Sequence, residues 1–230
     1  MVGIKQIIII ISIIVLLTSS PAYAHKLIMH DDSHRDIDSA LKIPDHKISW
    51  AIYENLGVNE AKFYVFDGKK GESLYASIVI PKIEGLEKYS PSLVLVSPEN
   101  NQTSNNAQSQ SNTKKFLYEG NFPSNEFYEP FGQVTYWERQ EINAELTSDG
   151  EYLIIVLDEK NQKGKYSLAI GTIEDFSSEN IFLILPQSWW ETKIFVNDYI
   201  SIMILFVIIT ALILITVFAI KRKIKNKSSS

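Results

Sequence analysis

Hydrophobic and polar positions fall into clearly different patterns along this chain. From Ile200 to Ile220 there is no charge, and only Ser201, Thr210 and Thr216 are polar. At about 1.5 Å of rise per residue such a helix is roughly 31 Å long, the thickness of a bilayer's hydrocarbon core, so the pattern predicts one transmembrane helix over 199–220. A second apolar run, Ile7 to Leu17, follows Lys5 and precedes Ala22-Tyr23-Ala24. It is short for a span and ends in small residues at the minus-three and minus-one positions, which predicts a signal peptide over 1–24 and His25 as the first mature residue.

Between these runs the period drops to two. Short β-branched and aromatic stretches separated by turn residues predict strands at Ile48–Leu56, Ala61–Phe66, Ser73–Ile80, Ser92–Val96, Lys115–Tyr118, Gln133–Leu146 (broken), Tyr152–Leu157 and Lys165–Ile170. Leu74, Ala76, Ile78 and Ile80 share one face, as do Tyr166, Leu168 and Ile170. Eight such runs predict an all-β, jelly-roll-like β-sandwich over 47–174. Tyr152–Leu157 is apolar on both faces, which predicts a central strand covered on both sides, paired through the polar connection 158–164 with the strand that follows. Asp67 to Gly71 predicts a hairpin between the second and third strands in the same way.

The remaining segments lack a period. Residues 25–46 form a polar arm rich in His and Asp that reaches the domain near Ile43-Pro44. The tract 99–113 is Asn, Gln, Ser and Thr, a flexible loop in which Asn101 begins a glycosylation sequon. Phe122, Phe127, Tyr128 and Phe131 surround two prolines in a turn-rich segment that caps the sandwich edge or forms a binding rim. Over 175–198 the pattern predicts a short helix or turn capped near Ser177 and then a descent to the bilayer, with Trp189, Trp190 and Tyr199 at the membrane interface.

Charge turns this pattern into a topology. Five of the last ten residues, 221–230, are Lys or Arg and none is acidic, so this tail belongs in the cytoplasm and residues 25–198 outside. The chain has 22 basic and 27 acidic residues; without Lys5 and the five tail charges, 16 basic residues face the 27 acidic ones, a net of −11. An acidic exterior excludes a nucleic-acid partner. There is no cysteine, which removes disulfides, thiol nucleophiles and zinc ribbons.

Candidate chemistry is sparse. All four histidines, His25, His30, His34 and His46, precede the predicted sandwich, and no nucleophile elbow, zincin helix, phosphate loop or EF-hand is present. No catalytic residue is therefore expected. His25, His30 and His34 are a candidate metal site: a free α-amino group and the imidazole of the same residue chelate copper, and a second imidazole completes a tetragonal set. Asp31, Asp32, Asp36 and Asp38 offer oxygens for calcium, although their spacing matches no known loop.

Two blocks carry a resemblance. Glu60-Ala-Lys-Phe-Tyr-Val-Phe-Asp-Gly-Lys-Lys-Gly-Glu-Ser-Leu74, and Gly150-Glu-Tyr-Leu-Ile-Ile-Val156 with Gly164-Lys-Tyr-Ser-Leu-Ala-Ile-Gly171, resemble the first and last parts of bacterial prepeptidase C-terminal domains, non-catalytic β-sandwiches attached to secreted proteins. The whole layout resembles a group of prokaryotic membrane-anchored exported proteins. The resemblance implies a sandwich and no activity. Together these readings predict a non-enzymatic, single-pass protein of the cell membrane, an interaction module or accessory subunit that meets the membrane and an envelope protein or glycan. Copper held by the mature N-terminal histidine is the alternative.

Overall fold

The structure, a computed structural model, describes residues 25–98, 113–175 and 181–227. The expected signal peptide, Asn101 with nearly all of its tract, and Ser177 lie outside the described residues.

Two sheets face each other, as the strand pattern predicts. One contains β1 (Lys26–Leu27), β3 (Trp50–Leu56), β11 (Gly164–Ile170), β5 (Ser73–Pro81), β9 (Val134–Glu145) and β8 (Glu126–Glu129), in that order. The other runs β2 (Leu41–Lys42), β4 (Ala61–Gly68), β10 (Gly150–Leu157), β6 (Ser92–Val96), β7 (Thr113–Phe116). Alternation decides what enters the space between them. Ile52, Leu168 and Ile78 from the first sheet meet Tyr64, Phe66, Tyr152, Ile154 and Leu93 from the second, all buried.

The pairing corrects two expectations. β10 lies centrally between β4 and β6, but β11 belongs to the opposite sheet between β3 and β5, so 158–163 is a crossover and no hairpin joins the two strands. The connection after β4 likewise crosses to β5 in the other sheet. A polar, Gly-containing connection marks where a strand ends; it carries no information on which sheet receives the next one. Nor is β10 covered on both sides: Leu153, Ile155 and Leu157 on its outward face are half-buried. β9, expected to break, is one twelve-residue strand, and the irregularity is a register shift opposite Ser77 and Val79.

The arm is part of the sandwich well before Ile43. β1 pairs in parallel with β3 and β2 in parallel with β4, one strand at each sheet's edge on the same side. Residues 28–40 cross from one edge to the other and close that side, with the Phe63 amide donating to the His34 carbonyl.

After the last strand the chain forms two helices, α1 (Ile181–Phe195) and α2 (Tyr199–Lys227). α2 is long and apolar enough to cross a bilayer over 28 residues, Tyr199–Asn226, with mean hydropathy 3.1. It continues through the basic tail because Lys and Arg are good helix formers and suit a helix C-terminus. α1 docks on the outer face of the six-stranded sheet. Phe195 stacks on Tyr53 with ring centroids 4.4 Å apart, the Tyr53 and Thr192 hydroxyls bond at 2.9 Å, and Val134 and Tyr136 complete a second small core. Burying Phe195 alone is worth about 1.5–3 kcal/mol. The α1–α2 turn is fastened at both sides: Lys165 Nζ donates to the Phe195 carbonyl (2.7 Å) and to Asn197 Oδ1 (2.9 Å), and Lys193 Nζ to Asp198 (2.8 Å). Asp198 also caps α2 by accepting from the Ser201 amide at 3.1 Å.

Candidate functional site

Two of the predicted histidines meet inside the sandwich. Glu54 on β3 and Lys62 on β4 both fall on the inward phase of their strands, so a carboxylate and an ammonium are turned into the core. A buried charge needs partners. Glu54 Oε1 accepts from His34 Nε2 at 2.5 Å and from the Tyr64 hydroxyl at 3.1 Å, and Lys62 Nζ stands 3.7 Å from Oε2. The Tyr64 and Tyr166 hydroxyls bond at 2.7 Å, and burial holds both phenols well above their usual range. Lys62 also pairs with Asp32, and burial lowers its ammonium from the ordinary lysine range. The rings of His30 and His34 meet edge to face, 4.8 Å apart.

His30, His34 and Glu54 each bring a ligand atom within 4.8 Å of the others, which is close enough to share an ion. The hydrogen bonds point elsewhere. His30 Nδ1 accepts from the Asp32 amide at 3.2 Å, so its proton is on Nε2, which donates to the Tyr53 carbonyl at 3.1 Å. His34 donates from Nε2 to Glu54, while its buried Nδ1 has no partner. Metal at both Nε2 atoms would move one proton against the Asp32 N–H and the other to a site with no acceptor, whereas ligating histidines normally donate their second N–H. Lys62 already supplies the cation. As arranged, the cluster locks the arm between the sheets.

The other predicted residues are dispersed. His25 lies outside this grouping: its Nδ1 bonds to Ser49 Oγ at 2.5 Å, and the ring lines a groove of about 200 Å³ on the outer face of the six-stranded sheet with Ala51, Tyr75 and Phe127. Burial lowers its imidazole from the ordinary range. The four aspartates considered for calcium do not converge. Asp31 caps Ser33, Asp36 caps Ser39, and Asp32 pairs with Arg35 and Lys62. Trp189 lies beneath the Lys193 ammonium, Trp190 meets Phe206 of α2 at 6.1 Å, and Tyr199 is exposed. The aromatic segment is a rim rather than core, with Phe122, Phe127 and Tyr128 exposed and Arg139 over the rings of Tyr118 and Phe122.

Strand reasoning had no signal for Glu54 or Lys62 as functional positions beyond their phase. It also missed a cleft of about 500 Å³ above the cluster, lined by Arg35, Glu60, Glu84, Leu86, Lys163 and Asn197 among others. Arg35 spans its rim, bonded to both Asp32 and Glu60.

No protein-family model matches the chain, and no curated protein is similar to it in sequence. Among solved structures it is similar to PliG of Salmonella Typhimurium, a periplasmic inhibitor of g-type lysozyme, at 15% identity and TM-score 0.30, covering 63% of this chain and 94% of that one. Aeromonas hydrophila PliG gives 12% identity and TM-score 0.31, with 64% and 98% covered. The pre-peptidase C-terminal domain of Bacillus anthracis collagenase gives 16% identity and TM-score 0.30, with 56% and 91% covered. At these identities and TM-scores the neighbours assign this chain no family, ligand or activity.

Proposed function

We propose that this chain is a non-enzymatic, membrane-anchored interaction module of the cell envelope, and that its partner is a protein docking on the outer face of the five-stranded sheet. One observation carries the reading. The core takes Tyr64, Phe66, Tyr152, Ile154, Leu93 and Leu95, so the outward positions are Phe63 and Val65 on β4, Leu153 and Ile155 on β10, and Val94 and Val96 on β6, five of them half-buried and Val94 buried between its neighbours. Register puts them side by side, Val65–Leu153–Val96 in one row and Phe63–Ile155–Val94 in the next. A sheet face turned to water normally alternates to polar, and a contiguous apolar surface marks an interaction site. The apolar patch favours a protein over a glycan. The docked α1 supports an anchored module, because it fixes the sandwich to α2.

The test is crosslinking and pull-down of the full chain from native membranes, beside Ile155→Lys and Phe63→Glu variants checked for unchanged circular dichroism. The expected result is an envelope protein retained by the native chain and lost from both variants. Equal retention by all three, or nothing retained by the native chain, would overturn the reading.

A further inference from the structure

The end of the sandwich that faces α2 is set by strand register. Gly164 pairs with Leu56, Leu157 with both Ala61 and Ser92, and Pro81 with Tyr136, so the connections 57–60, 82–91, 130–133 and 158–163 all leave from one end. Lys165 fastens the α1–α2 turn to that same end through Phe195 and Asn197. Tyr199 follows Asn197 by two residues, at most about 7 Å of extended chain. A helix entering the bilayer at Tyr199 therefore brings this end to the headgroup level. Two exposed apolar groups agree: Val58 (47% exposed) at the tip of the β3–β4 turn, and Trp190, which meets Phe206 about two turns inside α2.

The cleft opens at this level, since Asn197 is part of its wall. Its volume is that of a small-molecule site, and Leu56, Ile83 and Leu86 give it an apolar side. Its charges divide into two kinds. Arg35 pairs with Asp32 and Glu60 and Lys62 with Asp32, so these four neutralise one another, whereas Lys163 and Glu84 make no ion pair among the described residues, and the Lys165 ammonium meets neutral groups, two oxygens and the Phe195 ring. A cation and an anion left open beside apolar lining suit a zwitterion attached to an apolar body. The acidic exterior, net −11 by sequence, disfavours an anionic lipid surface.

We propose that this cleft holds the zwitterionic headgroup of a bilayer phospholipid, its phosphodiester toward Lys163 and Lys165 and its amine toward Glu84, with the sandwich standing end-on upon the membrane. The proposal rests on the anchoring given above, and the measurements separate the two. The chain has no cysteine, so single cysteines can be introduced at Val58, Lys70 and Leu212 and spin-labelled in the full chain in phospholipid nanodiscs. Accessibility to oxygen and to a water-soluble nickel chelate is expected to place Leu212 in hydrocarbon, Val58 at the headgroups and Lys70 in water. An aqueous Leu212 overturns the anchoring itself. A lipid-buried Leu212 with Val58 as water-exposed as Lys70 overturns the end-on stance and the headgroup site alone. In native mass spectrometry with added phosphatidylethanolamine, the full chain is expected to retain one lipid, at least fivefold less with Lys163→Glu or Glu84→Lys and undiminished with Lys70→Glu. Equal retention in all four proteins overturns the site, and displacement of the lipid by low-millimolar inorganic phosphate reassigns it to the free anion.

Discussion

Replacing Glu54 with alanine removes a group that ties the arm to both sheets. Glu54 is 1% exposed and accepts from His34 and Tyr64, with Lys62 Nζ 3.7 Å away. A hydrogen bond to a charged group is worth about 1.5–3 kcal/mol, and breaking a buried ion pair by deleting one member costs about 3–5 kcal/mol. The second figure already contains the first, so the expected loss for Glu54→Ala is about 3–5 kcal/mol out of a typical total of about 5–15 kcal/mol. Glu54→Gln keeps the shape and an acceptor oxygen but leaves Lys62 only Asp32, and should cost about 1.5–3 kcal/mol. The assay is urea unfolding of the full chain in detergent followed by near-UV circular dichroism. Hydrogen exchange over 28–40 accompanies it and should accelerate first, as the arm detaches. A Glu54/His34 double-mutant cycle should give a coupling of about 0.5–3 kcal/mol. A Glu54→Ala loss below about 1 kcal/mol, or a coupling near zero, would refute the lock.

Four further outcomes follow from other parts of the molecule. Hydrogen bonds from Lys193 and Ser201 hold the Asp198 carboxyl down at about 2 from 3.8, so its contribution is complete above 3.8 and lost as pH falls through about 2. With the side chain 31% exposed, screening reduces that to about 1–2 kcal/mol; tryptophan fluorescence of the α1–α2 turn should change over this window, and the change should vanish in Asp198→Asn. Gly171 sits at φ +74 where an added Cβ would run into the Ile48 carbonyl oxygen, whereas Gly85, at φ +90, has open space around it. Gly171→Ala should thus lower Tm well beyond Gly85→Ala, which meets only the backbone strain of about 1–3 kcal/mol. Phe195→Ala should cost α1 about 3–5 kcal/mol of docking and broaden the spin-label distances between β10 and α2; an unchanged distribution would show that α1 does not set the stance. Copper held through a mature His25 should survive His30→Ala unchanged, because the two rings sit at different places; loss on His30→Ala would contradict the separation seen in the structure.

How far the fold was legible depends on what each element shows in its own residues. β5 was readable because the deeper burial of one face imposes a period of two, and β11, buried on both faces from Tyr166 to Ile170, was readable because its larger apolar side chains, Tyr166, Leu168 and Ile170, keep to the inward phase. β1 and β2 were not, since two residues hold no period and their pairing is parallel to distant edges. β8 was hidden because Glu126-Phe-Tyr-Glu129 is an exposed edge strand, where no buried face selects the residues. Sheet membership was illegible throughout: the crossover after β10 reads like any hairpin loop, and only the packed product shows that its neighbour lies across the core.

The site was half legible, and the missing half was a matter of phase. Trp50-Ala-Ile-Tyr-Glu-Asn-Leu56 alternates so that Glu54 shares a face with Ile52 and Leu56, and Ala61-Lys-Phe-Tyr-Val-Phe66 puts Lys62 with Tyr64 and Phe66. Opposite charges at core-phase positions of two strands cannot be left alone in an apolar interior, so they require each other and further donors. His34 on the preceding arm satisfies that requirement as a hydrogen-bond donor to Glu54, with His30 packed edge to face against it, a need that arises from the strands themselves and holds without any metal. The spacing of His30 and His34 invites a ligand set when the arm is read alone. Read with the phase of β3 and β4, it becomes the closing half of a buried polar network, which is why residues 28–40 belong to the sandwich and why removing Glu54, rather than a histidine, is the sharper test of what the arm is for.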